Sequence, residues 1–371
     1  MVVAGINRRT FLGWAAAMPA LLHGRLLPAD QTDLAARRFA SASKADDGLF
    51  YLVLFDGLGQ VVCRHPLPGR AHQIVRWPAR PWVLVVSRRP GTTADIVNYQ
   101  TQALVRRIEC SPGYHLYGHA QVTADGRYLF TTEKSPSHEN GRMVIRDAGH
   151  DCKIVREYST AGIGPHELRL SADQRTMLVA NGGIKTEGRK KVNLDTMRPS
   201  LAYIDIRNGE LLEQLFLPDE YHQSSIRHLD ISANGQAIIA MQYQGNPGDS
   251  VPLVALHRRD EAMQPLTIPT AINGRLRQYC GSVCFDSTGD FVAVSAPRGN
   301  MILLWDIRKR RFQGAIKVRD GCGVAKTGEA GEFLVSSGAG SLYLLNSLDM
   351  TRTPIPAEFP VSWDNHLSRI S

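Results

Sequence analysis

The hydrophobic pattern of this chain repeats one unit: an alternating strand, a two-residue turn and a second, more apolar strand. Four copies read HAQVTADGRYLFTTE from 119, ELRLSADQRTMLVANGG from 167, HLDISANGQAIIAMQ from 228 and SVCFDSTGDFVAVSA from 282. The turn dipeptides are Asp125-Gly126, Asp173-Gln174, Asn234-Gly235 and Thr288-Gly289. Alternation of this kind indicates half-buried strands, and a turn dipeptide between two strands favours a β-hairpin. The pattern therefore predicts the same hairpin four times.

Each repeat continues into a second pair of strands, so the unit has four strands. The continuations include SLAYIDIRNGELLEQLFLP, VPLVALHRRDEAMQPLTIP and NMILLWDIRKRRFQGAIKV, and weaker copies of the unit begin near 72 and 321. A strand pair at 48–68 and a strand start at 363–371 remain, and together they make a seventh unit. Units of roughly 40–60 residues indicate a propeller. We expect an all-β fold, a seven-bladed β-propeller with ring closure by the N- and C-terminal strands.

The N-terminal stretch NRRTFLGWAAAMPALL resembles a twin-arginine export signal, in which Arg8-Arg9 precede a short apolar run. We expect a twin-arginine-type signal segment at 1–28, a linker at 29–47 and the propeller at 48–371, in a periplasmic protein. The cleavage site is not evident, and a short amphipathic N-terminal helix is the alternative. Cleavage near residue 28 would lower the net charge from +8 to about +5.

Composition narrows the function classes. The chain has 371 residues, 43% of them hydrophobic, which suffices for a packed core, and no run of 18 apolar residues predicts a membrane span. The net charge of +8 is spread along the chain, so we expect no nucleic-acid partner. Of the six cysteines, Cys280 and Cys284 are four apart with no second pair, which supports a zinc site only weakly. Most cysteines fit buried small hydrophobes.

Histidines recur where the inner strand of a blade begins. Five of the twelve histidines occupy such places: His72, His119, His166, His228 and His366. Counting back from the turn dipeptides puts His119, Glu167 and His228 in one register, and His366 fits the same pattern. Because neighbouring residues on a strand point to opposite faces, we expect a metal set of His119, Glu167, His228 and His366. His166 then supports the set from the blade interface. Such a set suits a divalent iron, copper or zinc ion. Alternatively, the histidines are structural and bond between blades.

Four further residues are candidate ligand-binding groups near the same end of the channel. Glu133 and Gln242 follow their strands where residues behind metal ligands would lie. Arg227, next to His228, could clamp an anion, and Lys185 lies in the basic loop 181–200. The alternative for that loop is an ordinary solvated surface.

Several motifs together resemble a known family. They are GHAQVTADGRYLFTTE, GIGPHELRL, VANGGI, MRPSL, SSIRHL and WDNHLS, and the resemblance runs over roughly 48–371. They resemble the exported propeller family labelled domain of unknown function 1513, of the YVTN or quinoprotein amine dehydrogenase-like type. The resemblance implies a periplasmic propeller, an association with iron acquisition and an imelysin-like partner. It also implies roles for His119, Glu133, His166, Glu167, His228 and His366. The segment 131–149 and Cys280 depart from the family pattern.

Three functions stay open from the sequence. The first is a non-catalytic periplasmic propeller that binds a metal ion, a metal complex or another small ligand at the channel mouth, accessory to iron acquisition. The second is a metal-dependent, lactonase-like hydrolase. The third is a scaffold for protein partners. Enzymatic activity is less expected than binding.

Overall fold

Seven antiparallel sheets, six of four strands and one of five, form the part of the chain that the structure describes, together with one small two-stranded hairpin. The structure, a computed structural model, describes residues 29–134, 139–188, 190–358 and 361–371. The predicted signal segment at 1–28 lies outside these residues. The first sheet follows helix α1 (Ala29–Ala36) and contains β1 (Arg38–Ala45), β2 (Phe50–Asp56) and β3 (Val61–Leu67). The next is β4 (Ala71–Arg76), β5 (Trp82–Ser87), β6 (Thr93–Asn98) and β7 (Ala103–Glu109). The third is β8 (His115–Val122), β9 (Tyr128–Lys134), β10 (Arg142–Asp147) and β11 (Lys153–Ser159).

The fourth blade carries an extra hairpin in its central loop. Its strands are β12 (Pro165–Leu170), β13 (Thr176–Asn181), β16 (Ser200–Asp205) and β17 (Leu211–Phe216), and the hairpin is β14 (Thr186–Glu187) and β15 (Lys190–Lys191). The fifth blade is β18 (Ser224–Ile231), β19 (Ala237–Tyr243), β20 (Val254–His257) and β21 (Gln264–Pro265), followed by helix α2 (Thr270–Asn273). The sixth is β22 (Val283–Phe285), β23 (Phe291–Ala296), β24 (Met301–Asp306) and β25 (Arg311–Lys317).

The seventh blade precedes the closure of the ring. It consists of β26 (Gly321–Lys326), β27 (Glu332–Ser337), β28 (Leu342–Asn346) and β29 (Thr351–Ile355). The chain then returns to the first blade through β30 (Val361–Trp363) and β31 (Ser368–Arg369), which both pair with β1. Five short 3₁₀ helices lie at Ala148–His150, Leu194–Thr196, Asp219–Tyr221, Gly274–Leu276 and Pro297–Gly299. The expected seven-bladed β-propeller is confirmed, including closure by strands from both ends.

The first blade begins earlier than the sequence pattern predicts. The segment expected as a linker, 29–47, contains α1 and β1, and β1 pairs with β2 from Arg38 to Lys44. The strand reads RFASASKA, and most of its buried positions are alanine and serine. These small residues carry little hydrophobic signal, so the strand was missed and the propeller starts at Arg38 rather than at 48.

The hydrophobic core consists of seven layers, each between two neighbouring blades. The layer between the fifth and sixth blades, for example, packs Leu256 and Ile238 against Phe285 and Trp305. Corresponding clusters fill the other six interfaces. Middle strands such as β13 are buried on both faces because each blade is covered on both sides. The inner strands therefore enclose a central channel, with β4, β8, β12, β18, β22, β26 and β31 adjoining in turn. No helix among the described residues is long and apolar enough to cross a membrane.

Candidate metal centre

Five histidines from five neighbouring blades of the ring meet in the channel. They are His72 on β4, His119 on β8, His166 on β12, His228 on β18 and His366 before β31. We call this set the histidine cluster. Ring centroids of neighbouring members are 4.5–5.7 Å apart, His72 and His366 being the nearest pair. All are buried except His166, which keeps intermediate exposure.

Two triads within the histidine cluster have ring nitrogens close enough together to bind one metal ion. His72, His119 and His366 form one, and His119, His166 and His228 form the other, with ligand atoms within 4.8 Å of one another. Tetrahedral coordination with metal–nitrogen bonds of about 2.0–2.1 Å places nitrogens about 3.4 Å apart. Metal binding at either triad would need its three nitrogens to reach that spacing. His119 is the member shared by both triads.

Glycine makes room for this packing at Gly118, the residue before His119. Gly118 has a φ of 106°, in the region that favours glycine, and an added Cβ would lie 2.6 Å from Cδ2 of His72. Gly164, with a φ of 66°, similarly shapes the turn that leads into His166. The local sequences GHA and GIGPHE thus fit the close approach of the rings.

Polar neighbours bond the Nδ1 atoms of two cluster members, His228 and His366. Nδ1 of His228 donates to Oε2 of Glu167 at 2.9 Å. Ser282 Oγ donates to the carbonyl of Asn365, so it accepts the proton of His366 Nδ1 at 3.1 Å. Nδ1 of His72 lies 3.8 Å from Oδ1 of Asp364, beyond hydrogen-bonding distance. The bonds of His228 and His366 leave Nε2 of these two rings with a free lone pair, as in metal-binding histidines oriented by a second group.

His119 has no such neighbour within hydrogen-bonding distance. Both of its ring nitrogens are buried without a hydrogen-bond partner among the described residues, and its Nδ1 lies 3.6 Å from Glu167 Oε1. Nε2 of His366 is likewise buried and unpartnered. Burial, followed by the neighbouring histidines, holds the pKa of His119 well below its usual value. The rings of His166 and His366 also have pKa values well below usual, with burial the main cause. Neutral imidazole is the form that binds a metal.

Glu167 contacts the histidine cluster through its carboxylate. Besides His228, its carboxylate accepts from the amide of Leu229 at 3.3 Å and pairs with Arg169, whose Nη2 lies 2.7 Å from Oε1. Burial alone would raise the pKa of Glu167, but Arg169 and His228 outweigh it and lower the pKa. Glu167 lines a small cavity of about 30 Å³ beneath the cluster.

The two triads differ from the expected metal set at Glu167 and His166. His166 belongs to a metal-binding triad, whereas Glu167 belongs to neither and hydrogen-bonds a cluster histidine instead. The register counted from the turns is sound, but β12 carries a β-bulge between Pro165 and Glu167. A bulge breaks strict alternation, so His166 need not point away from the channel. Of the expected metal set, His119, His228 and His366 lie in the cluster. His72, also at a strand start, was not part of that set.

The remaining candidate ligand residues separate into two groups. Arg227 lines the cavity above the cluster. Glu133 is buried within its own blade, paired with Arg142 and Arg146 at 2.7 Å each. Gln242 donates to the carbonyl of Cys280 at 3.3 Å, between the fifth and sixth blades. Lys185 pairs with Glu139 on the surface. None of these last three lines the cavity above the cluster.

The expected character of the cysteines agrees with the structure. All six are free, five are buried and Cys110 is intermediate. Neither Cys280 nor Cys284 belongs to a metal-binding group among the described residues. A zinc site built on these two cysteines therefore has no support from the geometry.

Fold and site together define a β-propeller with a histidine-lined channel. The chain belongs to the family described as "Protein of unknown function (DUF1513)", whose model matches residues 65–370. Among solved structures it is similar to Kuenenia stuttgartiensis hydrazine synthase at 14% identity. That match has a TM-score of 0.60 and covers 85% of this chain and 95% of that one.

A second solved structure is a functionally unknown protein from Desulfotomaculum acetoxidans. It is 12% identical, with a TM-score of 0.53, and the match covers 73% of this chain and 78% of that one. At these identities the likeness concerns the fold alone. No curated protein matches the chain.

Proposed function

We propose that this propeller binds a first-row divalent metal ion through the histidine cluster. The observation that carries the proposal is His119, which has two buried ring nitrogens without partners at the centre of five imidazoles. A buried polar atom without a partner costs about 1–3 kcal/mol. A bound metal would remove that cost at one nitrogen and would use the free Nε2 atoms of the neighbouring rings.

A purely structural role for the histidines accounts for less of the geometry. Structural histidines satisfy their nitrogens through hydrogen bonds, as His257 does with Tyr203 at 2.6 Å and with the carbonyl of Glu261 at 2.9 Å. His119 has no comparable bonds, and its neighbours keep the acceptor nitrogens free. An imidazole-rich set suits zinc, copper or iron.

The biological setting is part of the proposal. Export by the twin-arginine segment would place the propeller in the periplasm. The family resemblance implies a role accessory to iron acquisition, with an imelysin-like partner. Iron in the natively exported protein, and co-purification with such a partner, would support this finer role. Zinc or copper at full occupancy would contradict an iron-binding role and leave the metal site in place.

The direct test is elemental analysis of natively exported protein, followed by metal titration of the metal-free protein. We expect about one ion per chain and loss of binding in His119→Ala, because both triads contain His119. His257→Ala is the matched control, since it removes a buried histidine outside the channel. If the metal content is nil and neither variant changes it, the proposal is wrong.

A hydrolase is the second candidate, and one observation favours it. A cavity of about 580 Å³ opens above the histidine cluster and includes His72 and His166 in its lining, so a bound metal could meet a substrate there. The described residues of that lining include no carboxylate to act as a general base. Metal-dependent turnover in a panel of lactones and esters, abolished by His119→Ala, would establish this activity. Its absence would leave binding as the function.

A further inference from the structure

The cavity above the histidine cluster is strongly cationic. We call it the channel mouth. Four basic side chains line it: Arg88, Arg89, Lys134 and Arg227. The other lining residues include His115 and Tyr117, and no carboxylate is among those described. Like charges gathered in a concave site repel one another, so an unfilled cluster of this kind is costly.

Arg227 is the clearest sign that the channel mouth takes an anion. It makes no hydrogen bond or ion pair with any described residue, and its Nε is buried without a partner. The buried Arg146, by contrast, has Glu133 as an acidic partner at 2.7 Å. A half-buried guanidinium without a counter-ion fits a site for an anion that binds from solution.

Arg88 also has a hydrogen-bond donor without a partner. Its Nη1 lies 3.6 Å from Oδ1 of Asp364 but forms no hydrogen bond and is buried. Asp364 is shared among Arg70, Arg88 and His72. One carboxylate below the channel mouth therefore cannot neutralise its basic side chains.

We propose that the channel mouth binds a small oxyanion with at least two negative charges, of the polycarboxylate class, held by Arg227 and Arg88. A further oxygen of this anion would complete the coordination of the metal, a part that rests on the proposed function. Guanidinium groups match carboxylate geometry through paired hydrogen bonds. A volume of about 580 Å³ admits a six-carbon tricarboxylate with water to spare.

The position of the histidines connects the anion to the metal. His72 and His166 line the channel mouth, and each also belongs to one of the two triads. An ion bound at either triad would therefore lie at the floor of the cationic cavity. Three imidazoles leave at least one coordination position for an oxygen ligand.

The test is calorimetric titration of full-length mature protein, metal-free and zinc-loaded, with citrate, inorganic phosphate and acetate. We expect citrate to bind zinc-loaded protein at least about tenfold more tightly than acetate does. Arg227→Gln should weaken citrate binding about tenfold or more, because a charge-assisted pair is lost. Its thermal unfolding temperature should equal or exceed that of the parent, because Arg227 has no partner to lose and one of the mutually repelling charges is removed.

Arg198→Gln is the matched control. Arg198 stacks on Phe216 at 4.5 Å and does not line the channel mouth, so citrate affinity should stay within about twofold. Arg88→Gln is a second test of the same cavity and should also weaken citrate binding. Phosphate binding that also depends on Arg227 would support an oxyanion site and would indicate that its ligand can be an inorganic anion.

The outcomes separate this proposal from the metal site. Stoichiometric zinc binding with no citrate binding, or with citrate binding unchanged in Arg227→Gln, overturns the oxyanion proposal and leaves the metal site in place. Arginine-dependent citrate binding without any zinc binding supports the anion site and contradicts the metal proposal. Tighter citrate binding to zinc-loaded than to metal-free protein supports an anion that also binds the metal. Equal binding to both contradicts that contact.

Discussion

At the scale of single residues, Glu167 connects the two histidines that matter most. One oxygen accepts from His228 and the other lies 3.6 Å from Nδ1 of His119. Arg169 keeps the carboxylate ionised, since it lowers the pKa of Glu167. A carboxylate in this position fixes the tautomer of His228 and makes its free nitrogen a better ligand.

Glu167→Gln should therefore weaken metal binding about 10–100-fold, as losses of such supporting groups do. Competition with a chelator of known affinity measures the change. Glu133→Gln is the matched control, since Glu133 is also a buried carboxylate paired with arginine but lies outside the channel. It should lower stability and leave metal affinity unchanged. Equal metal affinity in the two variants would contradict a supporting role for Glu167.

The buried cysteine thiols should be unreactive in the native protein near neutral pH. Burial raises the pKa of Cys63 to about 11 and of Cys280, Cys284 and Cys322 to about 12. A raised thiol pKa means that the reactive thiolate is nearly absent until the pH approaches that value. At pH 8 iodoacetamide should therefore modify none of these four in native protein, and all six cysteines after unfolding in urea. Mass spectrometry of the two samples gives the count, and rapid labelling of a native buried thiol would contradict the packing.

At the scale of elements, the hairpin turns were predictable and the strand starts were not. Thr123, Ser171 and Ser232 each bond the side chain two residues later, at Asp125, Asp173 and Asn234. Such local turn chemistry is visible in sequence. Bulges arise instead from curvature of the inner strands, as between Ile226 and His228. The seven blades and the meeting of the strand-start histidines in the channel therefore followed from periodicity, whereas the side-chain directions around His166 did not.

The sixth blade reverses this turn chemistry, with the acid first and the hydroxyl second. Asp286 accepts from Thr288 at 2.6 Å, from the amide of Phe291 at 3.1 Å and from the amide of Gly331, in the next blade, at 3.0 Å. Asp286→Ala should cost about 2–4 kcal/mol, because buried amides lose their acceptor. Asp173→Ala removes the acid of the exposed hairpin turn in the fourth blade and should cost about 1 kcal/mol or less. Urea unfolding measures both, and similar losses would contradict a role for Asp286 between blades.

At the scale of the whole molecule, ring closure and the candidate metal site share one short segment. β30 and β31 pair with β1 and complete the first blade. His366 lies between them, and its carbonyl accepts from Ser41 Oγ at 2.7 Å. The closing strands therefore position one cluster histidine, so loosening the closure should loosen the metal site, even where the metal ligands are intact.

Substitutions of Trp363 and Trp305 distinguish the effect of ring closure on metal binding from the effect of a general loss of stability. Trp363, in β30, packs on Phe55 with centroids 5.2 Å apart, and Trp305, in the sixth blade, packs on Phe312 at 5.1 Å. Replacing either buried tryptophan by alanine should cost about 3–5 kcal/mol. Metal titration at a temperature where both variants remain folded should show weaker binding in Trp363→Ala alone, because only Trp363 is three residues from His366. Equal affinities would mean that the histidine cluster keeps its geometry independently of how firmly the ring is closed.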